Sequence, residues 1–511
     1  MGKGLSANKQ RMIGFVVAGL QILVSTLSGL LFTPFMISSL GQVEYGLYQL
    51  LYSAIGYVAV LDLGLGSTVV RYIIKYDSDE TRDKQKSVVS MCLMLYFVIS
   101  AIAMLAVFGV SFFLKNMFVS TITDANLAKA RLLFILMGVS SCLSLFDHAF
   151  MGILNAYEKY TVTKGVRIFR DIFRIALLIV LFKMGVDSLA IVLVDLSLMA
   201  LITIVDLISS KRLMRFSFFT KKIDVPLLKS ILSFSLFAFL QVIVSQVNIS
   251  IDRLVLGRYS TLVIVGMYGV AMQLYNMFSS FGNLFGGLTL PMVTRAVYQG
   301  GDRNQISDMC AKHSRIQCYI LLLVLSGFTL FGREFIGFWL DGEYDAFQLW
   351  AIILLITAPN IIEWIETPIF NVMKAKNLQK MRSLILIGVM VVHVILAVIF
   401  VKYEIFGVFG AAIATSISFV LGNNILSNIY YHKMVGINMI RYVIKLCKGI
   451  LPAWILSMGV GYAISLLPGG SIWMFLAKCV LFTAVYGLLM LFLGTNAQER
   501  AMLKSRVKKK K

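Results

Sequence analysis

VVSMCLMLYFVISAIAMLAVFGVSFFL, from Val88 to Leu114, runs without a charged side chain. Arg82, Lys84 and Lys86 precede it and Lys115 follows. A helix needs about 20 apolar residues to cross about 30 Å of hydrocarbon, so this stretch reads as a membrane-spanning helix entered from a basic side. The pattern recurs along the chain. Fourteen spans are expected, near 12–40, 45–71, 88–114, 131–152, 164–182, 188–210, 228–250, 261–291, 316–338, 347–371, 383–401, 406–430, 449–467 and 472–494. Composition agrees. Of 511 residues 59% are apolar and 14% charged, where soluble domains hold roughly 45–50% and about 25%; mean hydropathy is +0.85. These values exclude a lone soluble domain, a collagen-like repeat, a disordered tail and a disulfide-stapled secreted module. The expected class is all-α, a polytopic membrane protein.

Charge sets the direction of the chain, because Lys and Arg accumulate in cytoplasmic loops. With the N-terminus inside, 38 of the 47 Lys and Arg residues fall on the inner side and 9 on the outer. Both termini are therefore expected in the cytoplasm. The net charge of +22 would suit a nucleic-acid partner only if it were gathered on a soluble face. Instead the tail Lys508-Lys509-Lys510-Lys511 and the segment Lys211-Arg212-Leu213-Met214-Arg215 face the anionic inner leaflet, where each charge is worth roughly 1 kcal/mol. Membrane lipids are the expected partner, and nucleic acid is not. The first apolar stretch lacks a small-residue cleavage site and reads as retained. Six cysteines without C-x-x-C spacing read as buried free thiols, with no metal site. Pro34, Pro291, Pro359 and Pro368 fall in or at the ends of spans, where bent or broken helices are expected.

A fixed offset of 223 residues relates two parts of the chain: Tyr45-Gly46 to Tyr268-Gly269, Tyr52 to Tyr275, and Gly64-Leu65 to Gly287-Leu288. One residue off this register, Arg71 meets Arg295. The matches fall in the second and eighth spans. Six spans is an even separation, so both copies face the same way, as parallel repeats about an axis along the membrane normal. Transporters place substrate at such a repeat interface. The expected plan is two pseudo-symmetric six-helix lobes, 1–215 and 216–435, two additional helices over 436–498, and a basic cytoplasmic tail, 499–511.

Tyr45-Gly46-Leu47-Tyr48-Gln49 follows a proline-bearing first span, and Leu61-Asp62-Leu63-Gly64-Leu65-Gly66 leads to Val70-Arg71-Tyr72. This resembles the polysaccharide transporter family, the flippases of lipid-linked oligosaccharide and O-antigen repeat units. Their superfamily also holds the multidrug and toxin extruders (MATE) and the lipid II flippases. Asp252-Arg253-Leu254-Val255-Leu256-Gly257, followed by Val265-Gly266-Met267-Tyr268, resembles the opening of that family's second lobe. The resemblance covers about 10–435; the last two spans match in number only. Lipid II flippases carry arginines in the first span, whereas this chain has only Arg11 at its edge, which argues against that branch. The resemblance implies a MATE-like fold in a bacterial plasma membrane, no cofactor, and export of undecaprenyl-pyrophosphate-linked oligosaccharide for capsule or other surface polysaccharide. Other polysaccharide assembly proteins are its implied partners.

Such a cargo sets a physical requirement. Pyrophosphate and sugar do not enter hydrocarbon, whereas the polyprenyl tail stays there, so basic residues must line a hydrated cavity inside the spans. Each costs roughly 2.5–3.5 kcal/mol at a helix centre. Arg167, Arg170 and Arg174 recur at i, i+3 and i+7, one helical stripe. Counted from Lys164 at 1.5 Å per residue, Arg174 lies about 15 Å in. Asp171 is spaced to pair with Arg167 or Arg174. The competing reading starts the span near Ile172 and leaves the arginines in a cytoplasmic loop. Arg71, Arg295, Lys374 and Lys376 end spans on the inner side, as phosphate recruiters or as ordinary anchors. Arg253 and Arg258 break the sparse outer pattern; Arg253 is an exit residue or the partner of Asp252.

Acids inside spans are functional candidates by default. Asp62 reads equally as a packing acceptor, a counter-ion or a cation-coupling site. Glu363 and Glu366, between Pro359 and Pro368, have the look of a coupling site for H+ or Na+ at a helix break. His393 is a proton carrier or, more commonly for a lone histidine, a packed residue. Gln241, Ser245 and Asn248 share one face, as do Gln273, Asn276 and Asn283; they suit either glycan or interhelical hydrogen bonds. No P-loop or His-Glu-x-x-His occurs, and no soluble domain is present to hold an active site, so an enzyme is not expected. Two rivals remain. One is a multidrug cation antiporter of the same superfamily, which calls for an acidic cavity. The other is a membrane glycosyltransferase or polymerase, which calls for a large acid-bearing loop.

Overall fold

The computed structural model describes residues 7–76, 82–214, 216, 224–283, 286–496 and 499–500, with side chains at 7–16, 18, 227, 230–238, 240–241, 283, 286–288 and 291 excepted. No strand occurs among the described residues. The chain divides into two compact units, Met1–Val270 and Ala271–Lys511.

The first unit contains α1 (Ala7–Leu40), α2 (Gln42–Val60), α3 (Leu65–Lys75), α4 (Arg82–Met117), α5 (Asp124–Ala156), α6 (Tyr160–Lys183), α7 (Ser188–Leu213), α8 (Val225–Tyr259) and the start of α9 (Leu262–Asn283). Helix α5 is its hub, packed on α2, α3, α4 and α7, while α1 lies on α6 and α2 on α8. The second unit holds the rest of α9, then α10 (Gly286–Tyr298), α11 (Arg303–Leu340), α12 (Ala346–Ile365), α13 (Thr367–Ala375), α14 (Gln379–Lys402), α15 (Gly410–Phe419), α16 (Ser427–Tyr430), α17 (Met439–Cys447), α18 (Ile450–Ser465) and α19 (Ile472–Leu489). Here α11 is the hub, meeting α12, α17, α18 and α19.

Local chemistry sets the helix starts. Free N–H groups at a helix N-terminus need acceptors. Asp302 takes the Gln305 N–H at 2.5 Å while Gln305 returns to the Asp302 N–H at 3.3 Å, a reciprocal cap. Asp345 caps α12 and Asn438 caps α17 in the same sense. Outward faces are apolar: Phe97, Leu105, Phe108 and Phe112 on α4 are more than half exposed, as lipid-facing side chains should be.

Eleven helical segments are long and apolar enough to cross a membrane, or twelve with α17 and α18, bent by 44°, as one span. The chain is a multi-pass membrane protein. Among the described residues each of the fourteen expected segments contains helix, while the segments that pass as crossings number eleven or twelve. Helix α6 is not among the eleven because its arginines break up the apolar run.

The breaks have identifiable causes. Between α2 and α3 the chain turns through Leu63 and Gly64, with φ of 52° and 69°. This left-handed region suits Gly and strains Leu. The Asp62 carboxylate accepts the Gly64 N–H at 3.1 Å and fixes the turn. In α12, Pro359 has no N–H to give Leu355, and the Ser416 hydroxyl donates to that freed carbonyl instead. The 223-residue offset recurs in the architecture: it carries Val60 onto Asn283 and Lys75 onto Tyr298, the ends of α2 and α9 and of α3 and α10. Gly46 is required by close approach, since a Cβ there would run into the Leu262 backbone.

Candidate functional site

Helix α6 begins at Tyr160, before Arg167, so all three arginines of the stripe are helical. Each has an acid. Arg167 Nη2 donates to Asp147 Oδ2 on α5 at 2.6 Å, and Nη1 to Asp206 Oδ2 on α7 at 3.3 Å. Arg170 donates to its sequence neighbour Asp171 through Nε at 3.0 Å and Nη2 at 2.8 Å. Asp171 thus takes Arg170 rather than Arg167 or Arg174, and it also accepts from Ser25 on α1. Arg174 makes a two-pronged contact to Asp195 on α7, with Nη2 at 2.9 Å from Oδ2. Its guanidinium sits 5.8 Å over the Phe32 ring, a favourable cation–π placement.

Arg253 on α8 differs. It is 5% exposed, donates to Gln49 Oε1 at 2.9 Å and to the Ile249 carbonyl at 3.4 Å, and its Nε is buried without a partner. Both of these acceptors are neutral, and Asp252, the partner that the sequence left open, stands within electrostatic reach of the guanidinium. Gln49 in turn donates to the Tyr45 hydroxyl at 2.8 Å. Tyr48 and Tyr52 of α2 stack at 6.0 Å between ring centroids and stand within electrostatic reach of both Arg174 and Arg253. One face of α2 therefore brings two guanidiniums and three phenols into one neighbourhood. Two open apolar grooves, of about 270 and 490 Å3, run between α6 and α7, and Arg170 is the one charged residue lining them.

Asp62, at the α2–α3 break, accepts from Tyr96 on α4 at 2.6 Å and meets His148 Nδ1 on α5 at 2.9 Å. In the second unit, Glu363 accepts from Arg382 Nη2 and Asn423 Nδ2, each at 2.6 Å. Glu366, 5% exposed at the α12–α13 break, accepts from Asn428 at 2.9 Å. His393 is fully buried, its Nε2 at 3.1 Å from Thr415 Oγ1, a packed histidine. Among the described residues no group of three or more His, Cys, Asp and Glu is placed to hold a metal ion, and the six cysteines are unbridged.

The remaining sequence candidates are more dispersed. Arg71 and Arg295 are exposed near the ends of α3 and α10. Asn248 and Gln273 are half-buried and Asn276 is exposed. Gln241 lies outside the residues whose side chains are described. Lys376 donates to the Val435 carbonyl at 2.7 Å, and Lys374 lies 4.4 Å from the Phe370 ring centroid. The sequence reading missed Asp147, His148, Asp195 and Asp206. All four are ionisable residues inside apolar spans, which was the signal available.

Known proteins share this architecture. The chain is 23% identical over 499 residues to the uncharacterized membrane protein EpsK of Bacillus subtilis (strain 168), covering 96% of each. The solved lipid II flippase MurJ, in an inward closed conformation, superposes with a TM-score of 0.73 at 17% identity, covering 94% of this chain and 98% of that one. An inward-facing multidrug resistance MATE family transporter of the MOP superfamily gives 0.62 at 15%, covering 81% and 94%. At these identities the likeness establishes a common fold. Residues 13–297 match the polysaccharide biosynthesis protein family, and the chain belongs to it.

Proposed function

We propose that this protein is a flippase that moves undecaprenyl-pyrophosphate-linked oligosaccharide units outward across a bacterial plasma membrane, by alternating access and without catalysing a reaction. Arg253 carries the reading. Its guanidinium is buried, hydrogen-bonded to neutral acceptors, with Asp252 within electrostatic reach, and its Nε–H is left without an acceptor. Burying such a charge is costly unless an anion completes it. A pyrophosphate oxygen supplies that anion in the fork geometry arginine prefers. Arg174, across the tyrosine face of α2, is the second contact, with Arg170 and Arg167 behind it, and Arg71 and Arg295 recruit at the inner ends of their helices. Asn248, Gln273 and Asn276 offer neutral donors and acceptors to sugar. The family membership and the fold shared with a lipid II flippase support the same class of cargo.

Outward movement of an anion from a negative interior is favourable by roughly 2.3 kcal/mol per charge per 100 mV. Exchange of H+ or Na+ at Asp62 or at Glu363 and Glu366 adds to it. The test is surface polysaccharide in a deletion strain complemented with wild type, Arg253→Ala or Arg253→Lys at matched protein levels. The expected result is at least tenfold less export with Ala and partial recovery with Lys. Full export with Ala would refute the role, and drug resistance conferred by the wild type without any polysaccharide phenotype would favour the multidrug extruder.

A further inference from the structure

The contact of Arg167 with Asp147 and Asp206 has an unbalanced charge. One guanidinium faces two carboxylates, and both acids are shut away, Asp147 at 2% and Asp206 at 0% exposure. Each spends one oxygen on Arg167. The other oxygen of each, Oδ1, is buried with no hydrogen-bond partner. The two carboxyl groups lie on the two terminal nitrogens of one guanidinium and within hydrogen-bonding reach of each other. The other ionisable groups nearby are His148, next to Asp147 on α5 and within electrostatic reach of Arg167, and Asp62, which His148 contacts. None of them donates a bond to either orphaned oxygen.

Two like charges in a shared site do not both stay ionised at low dielectric. A buried acceptor without a donor carries a desolvation penalty of its own. A single small cation resolves both problems. We propose that Asp147 and Asp206 together bind one proton, shared between their carboxyl groups and held beside Arg167. Bound, the proton leaves Arg167 matched by one negative charge, and α5, α6 and α7 are tied together. Released, it leaves one surplus carboxylate, which loosens α5 from α7. Helix α5 also carries His148, whose contact with Asp62 at the α2–α3 break gives the proton a neighbouring acceptor. The coupling of this proton to export rests on the transporter reading; its binding does not.

The experiment is infrared spectroscopy of the purified full-length protein in lipid nanodiscs at neutral pH, in water and in deuterium oxide, with no substrate present. A deuterium-sensitive carbonyl stretch of a buried, protonated carboxylic acid is expected in the wild type. It should disappear in both Asp147→Asn and Asp206→Asn, which are isosteric with the protonated acid, and persist in Asp195→Asn. Asp206→Glu should keep the band and shift its frequency, which guards against loss through misfolding. The proposal is overturned if the wild type lacks the band or if the band survives both Asn substitutions. It is equally overturned if sodium ions abolish the band and raise the Tm of the wild type alone, since the pair would then be a sodium site. Failed export with an intact band would count against the transporter reading and leave proton binding standing.

Discussion

Arg167 on α6, partly buried, and Arg253 on α8, buried, lie within one compact unit, yet their surroundings differ. Arg167 is outnumbered by carboxylates, Asp147 and Asp206. Arg253 has Asp252 within electrostatic reach and leans on Gln49 and a backbone carbonyl for its hydrogen bonds. The first arrangement holds three helices together; the second keeps a buried N–H without an acceptor, which in the proposed function an anion takes up. A buried arginine in a membrane helix is therefore not informative until its counter-charges are counted. The α6 stripe as a whole shows it, with Arg167, Arg170 and Arg174 set against Asp147, Asp171, Asp195 and Asp206.

The largest expected effect comes from breaking the first arrangement. Arg167→Ala strands the buried Asp147 and Asp206 pair without its counter-ion, and removal of one partner from a buried ion pair destabilises by about 3–5 kcal/mol. The variant should reach the membrane poorly and melt at lower temperature, and Arg167→Ala with Asp206→Asn should recover much of the loss. An unchanged Tm for Arg167→Ala would break the contrast with Arg253.

A smaller effect is expected at Arg174, whose pair with Asp195 is partly exposed and therefore releases its arginine more readily. Arg174→Ala should lower export several-fold at normal protein level, by about 1 kcal/mol in barrier terms, with Arg174→Lys between the two. Wild-type export from the Ala variant would confine the anion site to Arg253.

The smallest effect lies outside the spans. Glu499 is held by Arg315, whose Nε donates to its Oε1 at 2.8 Å, and by the Asn496 N–H at 2.7 Å. Burial pushes its carboxyl up, but these bonds outweigh it, so it titrates below its ordinary 4.5. A lowered folded value means the stabilisation is present above the unfolded value and lost as pH falls through the folded one. The Tm gap between wild type and Glu499→Gln should therefore be full near neutrality and close in acid below 4.5. A gap independent of pH would show that Glu499 acts by packing alone.

Much of the fold was legible because its signals are local. Apolar run length marks the spans, and Pro359 and Pro368 mark the α12–α13 region; the break after α2 fell inside what read as one span, 45–71. The Arg167–Arg170–Arg174 spacing likewise placed three cations on one helical stripe. Their partners were not legible, because Asp147, Asp195 and Asp206 come from other helices and the helix packing, not the spacing, brings them together. Asp171 illustrates the limit even within one helix: spacing favoured Arg167 or Arg174, yet the adjacent Arg170 bends back to it while the other two are claimed across helices. His148 was visible as an ionisable residue inside a span, but its meeting with Asp62 depends on how α5 packs at the break.

The most direct measurement of the central claim uses purified protein in liposomes carrying a fluorescent undecaprenyl-pyrophosphate oligosaccharide, with its appearance on the far leaflet followed over time. Transfer is expected with wild type, at least tenfold slower transfer with Arg253→Ala, and none with empty liposomes. Equal rates for wild type and Arg253→Ala, or no transfer by an intact wild type, would contradict the claim.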